Sequence, residues 1–270
     1  HDRVDFYFAV GAGVAKKTSG DAYPYSTREI DATNIAFRLS VPRGESTYYV
    51  RIDSQSSMVL PLRILTEERF RAQIFQEYTV LFLYYGILIV MAVYNLFLFF
   101  SIRDRTYLWY TLFTACLAVN TAVLNGMAFQ YFWPDSPRWG NMAALVFVFL
   151  IHALGIEFSR SYLQTRLLAP RIDKFLRVFS AVCFAGIAAA LFMPYGALIK
   201  PILLMVLVAT VTLIGLAIYG VIKKSRPAYF YFTAWILLLA GNLLVILKNA
   251  GLMPSLPIIN YGVQIGSALE

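Results

Sequence analysis

A chain of 270 residues that is 59% hydrophobic and only 14% charged, with a mean hydropathy of +0.64, lies outside the range of soluble domains and falls in the membrane class. Residues 1–78 hold 10 basic and 10 acidic residues, so the whole net charge of +8 belongs to the apolar remainder. A surplus of that origin suits loops facing an anionic leaflet, and it argues against nucleic acid as a partner because no basic patch interleaves with aromatics on a soluble face.

Residues 1–65 read as β structure. Apolar residues alternate with polar ones along Val4–Val10, Ile35–Val41 and Tyr48–Asp53, and Met58–Leu65 supplies a fourth run. Pro42, Arg43, Gly44 and Glu45 mark a turn between the second and third. The expectation is a small antiparallel β-sandwich segment that begins inside its domain, since His1 leads directly into a strand pattern with no leader. Thr66 is an N-cap candidate, and Glu67 and Glu68 place negative charge in the first turn, where the helix dipole favours it. Phe70, Ile74, Tyr78 and Leu81 recur at helical spacing, so a connector at 66–78 is expected to run unbroken into the first membrane span.

From Thr79 the apolar runs are long enough to cross a hydrocarbon core of about 30 Å, which takes roughly 20 helical residues. Seven are predicted for 79–270, at about 79–101, 106–124, 139–160, 175–193, 198–222, 228–247 and from 258, the last one cut short by residue 270. One alternate set of turns carries Arg103, Arg105, Arg160, Arg166, Arg171, Lys174, Arg177, Lys223, Lys224 and Arg226; the other carries only Arg138, Lys200 and Lys248. Lys and Arg accumulate on the cytoplasmic side, so the first set is expected inside, with the β segment outside and the C-terminus inside.

Polar groups inside a bilayer are costly and are the first functional suspects. Glu157 and Arg160 stand three apart on one helix face and predict a local ion pair. His152 lies five residues from Glu157, about 140° away around a helix, and no second internal histidine accompanies it, so an interhelical hydrogen bond is expected of it and a metal site is not. Asn95, Asn120 and Asn242 fall in spans one, two and six, where an amide can join helices. Cys116 and Cys183 sit in apolar runs and read as buried, inert thiols. The sequence holds no HExxH, GxSxG, glycine-rich phosphate loop or CxxC, so neither an enzyme nor a cofactor is expected of this chain. A transporter or channel component is the competing class, although neither internal repeats nor paired broken helices stand out.

Three segments, YNLFLFFSIRDRTYLWY at 94–110, KNAGLMP at 248–254 and YGVQIGSALE at 261–270, together resemble the bacterial seven-transmembrane receptors with diverse intracellular signalling modules. GDAYPYSTR at 20–28 and the strand pair 34–41 and 46–53 are similar to that family's periplasmic β-sandwich domain. The resemblance implies an inner-membrane receptor with a carbohydrate-binding, jelly-roll-like outer domain. It implies a cytoplasmic output module in cis, such as a histidine kinase, diguanylate cyclase, adenylate cyclase or phosphatase. A kinase or cyclase output would suit a homodimer. For ligand contacts the candidates are Tyr23, Tyr25 and Arg28, groups that stack on sugars or bind acids, with turn and packing roles as the competing reading.

Overall fold

A computed structural model describes residues 2–10, 13–39, 41, 44, 46–54, 62–249, 264, 266 and 267. They form two compact units, one of residues 1–74 with 122–144 and the other of residues 75–121 with 145–270.

In the first unit, strands β1 (Arg3–Val10), β2 (Gly13–Ser19) and β3 (Tyr48–Asp53) make an antiparallel sheet in the order β2-β1-β3. Phe6 stands opposite Lys17 on one side and Val50 on the other, which puts Val4, Phe6, Phe8, Tyr48 and Ile52 on one face. Phe6 stacks on Phe8, Tyr48 and Phe37 at centroid distances of 5.8, 5.7 and 5.4 Å. Phe37 comes from the stretch predicted as a strand at Ile35–Val41. Its described residues make no ladder; the alternation there marks a chain segment laid over the sheet. β2 escaped prediction because Lys16, Lys17, Thr18 and Ser19 have little apolar character, as suits an edge strand that charge protects from further pairing. Among the described residues the sheet is thus a single layer of three strands; of the Met58–Leu65 run, 62–65 are not in a strand and 58–61 lie outside the described residues.

Asp5 is 1% exposed in the central strand, where it accepts hydrogen bonds from Arg3 Nε (3.1 Å) and Thr18 Oγ1 (2.8 Å) and pairs with Lys16 Nζ (3.1 Å). Burial pushes its carboxyl up, but these donors outweigh burial and bring the pKa down to about 2. Gly20, at φ 153°, ends β2 against the strand start; a Cβ there would strike the Asp2 carbonyl.

Helix α1 (Glu67–Ile102) starts where predicted: Thr66 Oγ1 accepts from the Arg69 amide at 3.4 Å, and Glu67 pairs with Arg71 at 2.6 Å. Its 36 residues run without a break for about 54 Å at 1.5 Å per residue. The chain continues through α2 (Arg105–Leu124), a short α3 (Met127–Tyr131), α4 (Pro137–Tyr162), α5 (Thr165–Leu168), α6 (Pro170–Phe192), α7 (Tyr195–Ile222) and α8 (Arg226–Asn249). Five of these helices (α1, α2, α4, α6 and α7) are long and apolar enough to cross a membrane, and α8 makes a sixth across a 42° bend between Ile236 and Leu238. Of the seventh predicted span, Gln264, Gly266 and Ser267 are helical, and the Ser267 hydroxyl lies 2.8 Å from Tyr84 Oη of α1; the remainder lies outside the described residues.

Two features organise the helical unit. Phe113 of α2, Phe158 of α4 and Tyr231 and Trp235 of α8 form an aromatic core, with Trp235 stacked at 5.2 Å on Phe113, 5.2 Å on Phe158 and 4.9 Å on Tyr231. The turns that carry the basic residues all close through a left-handed residue, Arg103, Gln164 or Lys224, at φ 63°, 48° and 57°. At Lys224 the pattern is a Schellman motif, with the Ser225 amide on the Gly220 carbonyl (3.0 Å) and the Lys224 amide on that of Val221 (2.9 Å).

Candidate functional site

The segment GDAYPYSTR folds into a turn followed by a 3-10 turn at Tyr25–Thr27, which brings Arg28 back under Tyr25. The Arg28 side chain is 5% exposed. Its Nη1 donates to the carbonyls of Ala32 (2.9 Å) and Thr33 (2.8 Å), and its Nη2 pairs with Asp21 (3.2 Å). The guanidinium carbon lies 4.7 Å from the Tyr25 ring and 5.6 Å from that of Phe129 in α3. Tyr25 meets Phe129 edge-on at 5.9 Å, and its amide donates to the Pro134 carbonyl at 2.8 Å. Asp31 Oδ1 accepts from Tyr25 Oη (2.7 Å) and from Gln130 Nε2 (2.8 Å). Gly126, at φ 75°, brings the chain so close that a Cβ there would stand 3.3 Å from the Thr33 carbonyl oxygen. Residues 20–33 of the N-terminal domain are therefore clamped onto the loop that joins α2 to α4.

Tyr25 and Arg28, predicted as ligand contacts, thus form the centre of this clamp, while Tyr23 stands apart from it with its amide on the Gly20 carbonyl at 3.3 Å. Beside the clamp lies a cleft of about 410 Å³ in which Ser26, Glu29 and Asp31 face Gln130 and Tyr131. Glu29 is also bound by Lys17 of β2 at 2.7 Å. Among the described residues Arg28 Nε is buried without an acceptor. The signal that could have found the partner segment was weak: Phe129 and Gln130 sit between predicted spans in a short apolar stretch that reads as a plain turn.

Within the spans, the polar residues do less between helices than predicted. Asn95 Nδ2 donates to the Met91 carbonyl of its own helix (2.9 Å), and His152 Nδ1 lies 2.7 Å from the carbonyl of Val148, also four residues back. Asn120 is 8% exposed and its Oδ1 has no partner among the described residues; the Asn242 side chain lies outside them. For Asn95 and His152 the interhelical bond gives way because a carbonyl one turn back is the nearest acceptor and needs no second helix to be placed. Asn95 also lines, with Tyr94, Tyr107, Tyr110 and Arg226, a cleft of about 930 Å³. Hydroxyls make the interhelical bonds instead. Ser159 Oγ lies 2.8 Å from Tyr231 Oη, and Thr106 Oγ1 2.7 Å from Ser161 Oγ.

The Glu157–Arg160 pair forms, with Arg160 Nη1 at 2.8 and 2.7 Å from the two carboxylate oxygens, and it belongs to a larger network. Arg160 Nε donates to Asp173 Oδ1 of α6 at 3.0 Å, Thr165 Oγ1 donates to the same oxygen at 2.7 Å, and Arg177 holds Oδ2 at 3.1 Å. Asp173 was missed because it precedes the sixth element's apolar run. The signal for it was one acid among Arg171, Lys174 and Arg177. The network ties the end of α4 to the start of α6 through α5. Among the described residues no group of His, Cys, Asp and Glu is arranged to hold a metal.

Two family models match the chain. One described as "7TM diverse intracellular signalling" matches residues 77–270, and one described as "7TMR-DISM extracellular 2" matches residues 1–66. No curated protein and no solved structure matches it.

Proposed function

This chain belongs to the 7TMR-DISM family of seven-helix membrane receptors with diverse intracellular signalling, and on that premise we propose how it works as a transmembrane sensor. The outer domain detects a small ligand, with carbohydrate-like molecules the first class to test, at the cleft bounded by Tyr25, Asp31 and Tyr131. The helices relay binding to an output module in cis, such as a histidine kinase or diguanylate cyclase. The protein sits in a bacterial inner membrane with its basic turns in the cytoplasm, as the one-sided distribution of Lys and Arg supports, and the output favours a homodimer.

The observation that carries this reading is α1. It is capped by Thr66 at the edge of the outer domain and passes as one helix from that cap to Ile102, so displacement of the domain is delivered to the first span without a flexible joint. The test is made on the full-length protein in lipid nanodiscs, against a panel of mono- and oligosaccharides and small carboxylic acids. A ligand is expected to raise the thermal midpoint and to change phosphotransfer or cyclic-nucleotide synthesis. A panel that changes neither refutes the sugar-sensor version, and solute counterflow in vesicles would replace the relay with transport.

A further inference from the structure

The clamp on the α2–α4 loop has no role in a relay through α1 alone. We propose that it is a second input, that Arg28 is its positioning residue, and that α4 is the rod which carries it across the membrane. The inference rests on the receptor reading above and adds a route to it.

Three observations converge on α4. At its first end, Gly140 packs so closely on Phe129 that a Cβ would stand 3.3 Å from the ring, and Trp139 meets Trp133 edge-on at 6.1 Å. The residues that Arg28, Tyr25 and Asp31 grip are therefore packed directly on the opening turn of α4. Along its length α4 is the most enclosed of the five unbent spans α1, α2, α4, α6 and α7, with 56% of its apolar window buried against 11% for α1. A shift of α4 must displace the Phe113, Tyr231 and Trp235 side chains it touches, because close-packed interiors transmit strain. At its other end, Arg160 of α4 holds Asp173 of α6, so the rod finishes in an ion network that either persists or opens. A packed helix with a polar latch is the kind of two-state element that coupling requires.

The chemistry of the clamp suits an input that can be released. Arg28 gives donors to Asp21 and to two backbone carbonyls of its own segment and meets the far segment through the face it lays on Phe129, and the joints between the segments include the Tyr25–Pro134 backbone hydrogen bond and the Asp31–Gln130 side-chain bridge. The adjoining cleft is lined by both Asp31 and Gln130, so a polar ligand there competes for the bridge between them.

The test uses the full-length protein in nanodiscs carrying Asp31→Cys and Gln130→Cys, positions whose native side-chain tips meet at 2.8 Å, bridged by a reducible bis-methanethiosulfonate cross-linker that spans what the two longer side chains spanned. Native Cys116 and Cys183 are buried and are replaced by alanine in all forms. Cross-linking locks the clamp and reduction frees it on the same folded molecule. Backbone hydrogen exchange at 163–169 is then measured in both states, with no ligand or output module needed. The expected result is exchange about fivefold or more slower in the locked form, the low end of ordinary coupling energies, with the difference erased by Arg160→Gln. Equal exchange in the two forms overturns the α4 route while leaving the receptor reading standing, and failure of the cross-link to form overturns the clamp itself.

Discussion

Arg28→Met keeps the stem that packs between Tyr25 and Phe129 and removes the charge and its donors. The side chain is 5% exposed, so water does not replace what is lost. The carbonyls of Ala32 and Thr33 each lose a charged donor; counting about 1 kcal/mol for each orphaned acceptor gives about 2 kcal/mol. Loss of the cation from the faces of two rings adds about 1 kcal/mol. The Asp21 pair adds little, since that carboxylate is 41% exposed and rehydrates. The sum is about 3 kcal/mol, confined to residues 20–33 and 125–134, and corresponds to roughly 100-fold faster opening of that region. Hydrogen exchange by mass spectrometry reads the region directly, with β1 and β3 as the internal reference. Arg28→Lys, which keeps the charge but not the planar fork, is expected to recover less than half of the effect. If exchange at 20–33 rises by less than about fivefold in Arg28→Met, the energies assigned to the clamp are wrong.

Three further outcomes follow from other parts of the molecule. The Asp5 carboxyl is depressed to about 2 in the folded sheet, below its ordinary value, so its stabilisation is complete above that ordinary value and disappears as pH falls towards 2; exchange in β1–β3 should accelerate over that window, and Asp5→Asn should remove the acid dependence while weakening the sheet at neutral pH. Gly186→Ala in α6 drives a methyl into the buried Phe149 ring of α4 and should cost about 1–3 kcal/mol, seen as a lower thermal midpoint in detergent that Phe149→Leu restores. Gln164→Gly relieves the left-handed backbone between α4 and α5 and should raise the midpoint by an amount equivalent to about 0.5–1 kcal/mol, whereas an unchanged midpoint would show that Gln164 bears no strain.

Features that depend on near neighbours in the chain were legible from composition and period. The Thr66 cap, the unbroken connector into α1, the helical spans and the Glu157–Arg160 pair all join residues within one or two turns of each other. The N-terminal β content was legible, but its strands were placed less well. Phe37 has strand-like alternation yet packs over the sheet, and the polar Gly13–Ser19 pairs with β1 despite its composition. Asn95 and His152 show the same limit inside the bilayer, since a polar residue's presence in a span does not reveal whether it will satisfy itself on its own backbone.

By itself, the sequence determined that this is a multi-pass membrane protein with an N-terminal β domain, because hydrophobic run length and hydrogen-bonding needs in lipid leave no other use for such a chain. It also determined the family, whose members are transmembrane sensors with an extracellular domain and intracellular signalling. Only the tertiary structure decided that Arg28 and Tyr25 grip a loop about a hundred residues away, and that Arg160 reaches past Glu157 to Asp173. Both links join side chains whose partners are set by how separate segments pack, and no period or local propensity encodes that.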